Sequence, residues 1–289
     1  MVFEHEIPQG TKLYFGTSAK MKRRLENIAC EIFYQNDFEE ILTPSFMYLE
    51  HQKNFSNRDI IRLSSKNNHQ ISLRYDTTID AIRIITKRLL RSTCQKKWFY
   101  IQPVFSYPTN EIYQIGAECL DIDEIPKMLC LSVEIMKQFG MNPILQVSNV
   151  KILKLCSQET GKDLEFFRKM QIEDILKKAP YMSDLIKIQT RDDLANSILK
   201  APEFLKNELK ALLEGSSYCR YEKMIFSPLE LPPVDYYNDL VFRMFEGNHT
   251  FLLGGKYTIE GVESCGFGIY TDDVIEYLMK IKGMKWLIS

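Results

Sequence analysis

Apolar residues recur at helical spacing through Thr17–Asn36, where Leu25, Ile28, Ala29, Ile32 and Phe33 share one face and lysines and arginines take the other. That pattern predicts a helix. Phe38–Pro44 (FEEILTP) reads as an extended segment stopped by a proline, which favours β geometry in the residue before it. Ile71–Arg74 reads as a short strand, and Asp76–Leu90 as a helix with Asp76 or Thr77 near its N-terminus. Trp98–Phe105 and Glu111–Leu120 read as a hairpin bent at Pro108-Thr109-Asn110. Ile125–Phe139 reads as a helix ended by Gly140, and Ile144–Val147 as a strand. Lys151–Leu213 is rich in Lys, Glu, Leu and Ile at helical spacing and reads as a helical insertion punctuated by Pro180 and Pro202. Strand patterns return at Lys223–Phe226, Tyr236–Phe245, Thr250–Leu253 and Gly266–Tyr270, before a last helix from about Asp272 to Lys282 with Thr271 as its N-cap. Strands and helices are segregated and not strictly alternating. The expected class is α+β, with a mainly antiparallel sheet of about six strands flanked by helices.

At 289 residues and 45% hydrophobic content, the chain can bury a large core as a single domain, residues 1–289, carrying the insertion at about 151–213. The net charge of −1 lacks the basic footprint of a nucleic-acid binder. The seven cysteines form no Cys-x-x-Cys pair and, with four histidines, give no metal-ligand spacing. No metal and no cofactor is expected, and the thiols read as buried and free in a reducing cytoplasm. The start, MVFEHEIPQG, lacks a cationic region followed by an apolar run, and no stretch has the length of a membrane span. A soluble cytoplasmic protein, without membrane or nucleic-acid contacts, is the expectation. Lys20–Arg24 reads as a solvated helix face, with a partner contact as the alternative, Lys96-Lys97 and Arg88–Arg91 read as surface, and Trp286 as an interface anchor in a frayed terminal segment.

The segment Trp98–Asp121, WFYIQPVFSYPTNEIYQIGAECLD, resembles the second signature motif of class II histidyl-tRNA synthetases. Further pieces follow in the family's order over roughly residues 8–282. Phe38–Pro44 resembles the dimerisation strand, and Leu73-Arg74-Tyr75-Asp76-Thr77-Thr78 the Arg-Pro-Glu-Gly-Thr stretch. Gln114-Ile115-Gly116-Ala117-Glu118 is similar to the Gln-x-Gly-x-Glu strand, and Val234-Asp235-Tyr236-Tyr237 to the histidine-specific tyrosine motif. Gly254-Gly255-Lys256-Tyr257 and Gly266-Phe267-Gly268 resemble the glycine-rich strands flanking the third motif. Each piece alone is weak, and their order makes coincidence untenable.

The resemblance also shows what has been replaced. The synthetase drives a carboxylate onto the α-phosphate of ATP, so two anions meet and fixed cations must hold the developing charge. The three arginine positions that the family uses for this are occupied here by Ser106, Pro232 and Asp273. The amino-acid side is retained: Asp76, Thr78, Gln114, Glu118, Tyr236, Tyr237 and Tyr257 match the residues facing bound histidine. Two readings of these seven stand, a pocket for histidine or a similar amino acid, and core packing in which tyrosines and carboxylates bond each other. No anticodon-binding domain is expected after the last helix.

A synthetase-like core without these arginines and without the anticodon domain resembles the regulatory subunits of ATP phosphoribosyltransferase. That resemblance implies no catalysis. It implies a homodimer that joins a short-form catalytic subunit in a hetero-octamer, acting in the first step of histidine biosynthesis and binding histidine. Asp76 agrees with the family's Asp, whereas Tyr75 replaces a proline, and Tyr236-Tyr237-Asn238-Asp239 departs from the usual Tyr-Tyr-Thr-Gly. The alternatives are a stand-alone amino-acid sensor, or a diverged amino-acid ligase or aminoacyl transferase.

Overall fold

The structure is a computed structural model that describes residues 6–52, 60–67, 69–168, 176–177 and 179–281. Trp286 lies outside the described residues. The chain forms two compact units, Met1–Leu120 with Gly268–Ser289, and Asp121–Phe267.

The first unit runs in chain order α1 (Gly16–Gln35), β1 (Glu39–Glu40), β2 (Phe46–Tyr48), β3 (Arg62–Ser64), β4 (Gln70–Leu73), α2 (Thr77–Lys87), β5 (Lys97–Ser106) and β6 (Asn110–Leu120). The helix Thr271–Ile281 returns to it from the far end of the sequence. The predicted apolar face of α1 is the buried one, with Leu25, Ala29, Ile32 and Phe33 all but inaccessible. The expected solvated run at Lys20–Arg24 is partly recruited. The Lys22 ammonium pairs with Glu26 and stands 4.1 Å from the Tyr113 ring centroid. β5 and β6 form the predicted hairpin, antiparallel from Lys97↔Cys119 to Ser106↔Asn110. β1 lies along β5 in parallel, which the sequence pattern did not show. The strand expected at Ile71–Arg74 is β4, whereas its partners β2 and β3 in a small antiparallel sheet were not predicted. Asp76 is extended at φ −142° and its carboxylate accepts from the Ile79 N–H at 3.0 Å, which caps α2.

The Thr271–Ile281 helix buries Val274, Ile275 and Met279 and packs on α1 and β6. At its first turn, buried Asp272 accepts from the Tyr14 hydroxyl and, at 2.9 Å, from the Tyr113 backbone N–H.

The second unit holds α3 (Ile125–Phe139), β7 (Ile144–Asn149), α4 (Val150–Thr160), α5 (Leu164–Arg168), α6 (Met182–Ile186), α7 (Arg191–Lys200), α8 (Glu203–Gly215), β8 (Met224–Phe226), β9 (Tyr237–Glu246), β10 (His249–Ile259) and β11 (Val262–Tyr270, within this unit through Phe267). The strand order is β11-β10-β9-β7-β8, with β7 parallel to β8 and antiparallel to β9. The main strands thus number three in the first unit and five in the second, against about six expected, and parallel pairs occur in both. Gly140 closes α3 in the left-handed region at φ 89°, the conformation a helix stop of this kind requires. The expected helical stretch is built of α4–α8, with α4 packed on β9 and α8, and α8 on β7.

Candidate functional site

Side chains alternate across a strand, so Gln114, Gly116 and Glu118 share one face of β6. Tyr100 of β5 stands directly opposite Gly116 in the register. A Cβ at position 116 would lie inside the Tyr100 ring, so only glycine lets the ring cross the strand there. The Tyr100 hydroxyl is thereby set 3.2 Å from Glu118 Oε1 and 2.9 Å from Thr78 Oγ1. Thr78, in the first turn of α2, donates to the same Glu118 oxygen at 2.8 Å. Tyr100 and Glu118 are each 1% exposed. Burial, then the Glu118 charge, pushes the Tyr100 hydroxyl well above its ordinary pKa, so it stays a donor. Two hydroxyls therefore converge on one buried carboxylate. Such a group suits an ammonium or an imidazole N–H. Gln114 is half-buried on the same face, and Asp76 stands at the head of α2, one oxygen engaged by the helix cap.

The three tyrosines belong to the second unit, where they form one aromatic cluster. Ring centroids are 4.7 Å apart for Tyr236–Tyr237, 5.3 Å for Tyr236–Tyr257 and 6.1 Å for Tyr237–Tyr257. Tyr237 and Tyr257 are buried, opposite each other across β9 and β10. Tyr257 also lines a polar pocket of about 460 Å³ with Lys151, Asp239, Lys256 and Asp123. Both lysines there are engaged, Lys151 with Asp239 at 2.7 Å and Lys256 with Asp123 at 2.6 Å. Asn238 and Asp239, the departures from the family's tyrosine motif, bond Thr258 and Lys151 respectively.

None of the three replaced arginine positions offers a cation. Ser106 ends β5, and its hydroxyl accepts from Asn110 Nδ2 at 3.4 Å across the hairpin tip. Asp273 is half-buried in the first turn of the Thr271–Ile281 helix. Pro232 is buried in the loop before β9. A buried guanidinium does exist in the first unit, at Arg74, but backbone carbonyls hold it. It donates to Thr43 O at 2.8 Å, Pro44 O at 3.1 Å and Pro103 O at 2.6 and 2.9 Å. Its work is to lock the Phe38–Pro44 segment to β5. Among the described residues, no group of His, Cys, Asp and Glu is set to hold a metal, and no helix is long and apolar enough to cross a membrane.

Tyr100 was not among the sequence-derived candidates. The signal was available: folding Trp98–Phe105 back on Glu111–Leu120 about the predicted bend places Tyr100 over the motif glycine.

A family description of histidyl-tRNA synthetases matches residues 15–274 of the chain. A Helicobacter hepaticus protein described as an ATP phosphoribosyltransferase regulatory subunit is 56% identical over 279 residues, covering 96% of this chain and 100% of the relative. A Wolinella succinogenes protein with the same description is 52% identical over 283 residues, covering 97% and 98%. Among solved structures, an ATP phosphoribosyltransferase regulatory subunit/histidyl-tRNA synthetase from Bacillus halodurans superposes with a TM-score of 0.83 at 18% identity, covering 96% of this chain and 84% of that one. That likeness concerns the fold, and it bears out the expected α+β class II architecture.

Proposed function

The chain belongs to the histidyl-tRNA synthetase family, among its ATP phosphoribosyltransferase regulatory subunits, and from that premise we propose that it regulates a separate catalytic phosphoribosyltransferase in histidine biosynthesis and activates no amino acid itself. The observation that carries this reading is the contrast between the retained and the replaced positions. The carboxylate–hydroxyl cluster of Thr78, Tyr100 and Glu118 is fully built. The positions that would clamp a phosphate hold a bonded serine, a buried proline and an acid. Loss of one preorganised donor at such a centre costs on the order of 10²–10³ in rate.

In this reading the catalytic partner is a short-form subunit, joined in a hetero-octamer to dimers of this chain. Exposed apolar side chains after β1 and at the start of β2, Leu42 at 69% and Phe46 at 60%, support a contact with a second copy there. Histidine is the regulatory ligand, its ammonium meeting Glu118 and Asp76.

Three measurements test the proposal. Purified with a short-form catalytic subunit, the chain should co-elute with it and raise its phosphoribosyl transfer, and separate elution with unchanged rate would defeat the reading. Histidine-dependent pyrophosphate exchange should not exceed a no-protein control. Calorimetry should show histidine binding that Glu118→Ala weakens about ten- to a hundredfold, the scale of a lost charge-assisted contact. Equal binding by both chains would place the histidine site elsewhere.

A further inference from the structure

Two cysteines of the second unit are in contact. Cys130 is half-buried on α3, and Cys219 is 4% exposed in the turn between α8 and β8. Their thiols are hydrogen-bonded to each other. The Cys130 thiol also donates to the Tyr218 carbonyl at 3.8 Å, on the peptide that carries the Cys219 nitrogen. Both are free thiols. The turn is held on either side of the pair. The Cys219 N–H donates to Ser216 O at 3.3 Å, and Arg191 donates to Ser216 O at 2.9 Å and to Leu213 O at 3.2 Å. Beyond it, the Tyr221 hydroxyl donates to Pro143 O.

A thiol used only for packing behaves as a small hydrophobe, and burial pushes its pKa up. Cys30 and Cys156 follow that rule, each raised to about 11, burial first among the causes. Cys130 goes the other way, down to about 7, because the Cys219 S–H is directed at its sulfur and outweighs burial and the Glu134 charge. The same contact, together with burial, drives the Cys219 thiol up. The pair thus divides its protons. Cys130 carries negative charge near neutral pH, and Cys219 keeps its hydrogen. A thiol that reacts with oxidants needs thiolate character, access and a second thiol beside it. Cys130 has all three, and Cys219 is the second thiol.

We infer that Cys130 and Cys219 form a reversible disulfide, with Cys130 the thiol that a hydroperoxide oxidises and Cys219 the thiol that resolves the product. In the first step the Cys130 sulfur takes one peroxide oxygen as a hydroxyl. The S–O bond forms, the O–O bond breaks, and the other oxygen leaves with the proton Cys130 released, as alcohol or water. The Cys219 sulfur then displaces the hydroxyl. The S–S bond forms, the S–O bond breaks, and the Cys219 proton leaves with that hydroxyl as water. Two electrons pass from the two sulfurs to the peroxide, and a dithiol reductant returns both thiols by exchange. The sulfurs must close to about 2.05 Å. Ser217 and Tyr218 are exposed, so the turn can yield without displacing core. The bond would join α3 to the segment beyond α8 and close the whole α4–α8 stretch into a covalent loop. Disulfides of a reducing compartment are transient and redox-sensing in most cases. The inference goes beyond the regulatory reading, since it adds an oxidant as an input.

The test is peptide mass mapping of the full folded chain, reduced, freed of reductant and treated with hydrogen peroxide. A Cys130–Cys219 linked peptide should appear and be lost on treatment with dithiothreitol. Its formation should speed up as pH rises through about 7. The linked chain should unfold at higher urea than the reduced one, since a closed loop restrains the unfolded state. Cys219→Ala should stop the reaction at a sulfenic acid on Cys130, trapped by dimedone. Cys130→Ala should leave Cys219 unmodified. Exposed Cys94 is the internal comparison. Peroxide that consumes Cys94 while Cys130 and Cys219 stay free thiols would overturn the proposal. So would a linked peptide that forms only in urea, or dimedone on Cys219 in place of Cys130. The measurement uses neither histidine nor a catalytic partner, so its failure leaves the regulatory reading standing.

Discussion

The two ends of one hairpin differ in what holds their polar groups. At the inner end of β5–β6, Glu118 is 1% exposed and takes hydroxyl protons from the first turn of α2 and from the neighbouring strand. At the outer end, Ser106 meets Asn110 at 3.4 Å beside the exposed turn residues Tyr107, Pro108 and Thr109. A buried polar group is fixed by every partner that would be stranded without it, whereas an exposed one can be exchanged because water takes its place. A cation can therefore leave the hairpin tip without disturbing the fold. The carboxylate at the inner end cannot leave so cheaply, whether or not a ligand ever meets it.

Asp80 sharpens this comparison most. It is another buried carboxylate of the same unit, but the partner facing it is one Gln52 amide at 3.4 Å. Burial, and then neighbouring Asp76, pushes its pKa up from 3.8 to about 7 against the pull of Arg74, Arg83 and Gln52. Between those values the folded chain keeps a proton that the unfolded chain releases. The contribution of Asp80 to stability is therefore greatest at low pH, falls as pH rises from about 4 to about 7, and is flat above. At about 1.4 kcal/mol per unit, the loss is up to about 4 kcal/mol. Asp80→Asn should flatten the profile and raise stability at pH 8, as read by urea unfolding across pH.

Glu118→Ala comes next. Removing the shared acceptor of the buried Tyr100 hydroxyl and the half-buried Thr78 hydroxyl should cost about 3 kcal/mol in urea unfolding, and Glu118→Gln clearly less. A loss under about 0.5 kcal/mol would break the comparison, since that is the cost expected of a surface position. Gly116→Ala should cost about 2 kcal/mol by driving a methyl into the Tyr100 ring. Tyr100→Phe should recover part of this in a double-mutant cycle, because the hydroxyl is among the nearest atoms to the added carbon. Ser106→Arg should move stability by no more than about 0.5 kcal/mol and restore no pyrophosphate exchange, because two further cations remain absent.

How much of this was legible depends on the range of the interaction involved. Local signals carried well. The helix at Ile125–Phe139 and its glycine stop have the predicted bounds, and of the two residues expected near the start of α2, Asp76 is the cap. The family resemblance already brought Gln114 and Glu118 together, and the strand it implied puts them on one face. What stayed hidden depends on chain segments far apart in sequence. β1 is two residues long and acquires its strand character from the parallel edge of β5. β2 and β3 are three residues each, too short to show a period. Arg74 reads as any strand-end arginine until Thr43, Pro44 and Pro103 present their carbonyls to it. The pairing of Cys130 with Cys219 was hidden for the same reason, since one thiol comes from α3 and the other from beyond α8.

The bond between Asp272 and residues Tyr14 and Tyr113 bears on how the protein is made. The first unit is discontinuous, and the helix that completes it is translated after the whole of Asp121–Phe267. Asp121–Phe267 has all of its own strands in hand before that helix exists. During synthesis the order of completion is therefore the reverse of the order of translation: the unit that begins the chain finishes second. Until Asp272 arrives, the Tyr113 amide lacks that acceptor and α1 and β6 lack the apolar face of Val274, Ile275 and Met279. A nascent chain stalled after Phe267 would thus carry an unfinished amino-terminal half, open to chaperones and proteases for as long as the stall lasts.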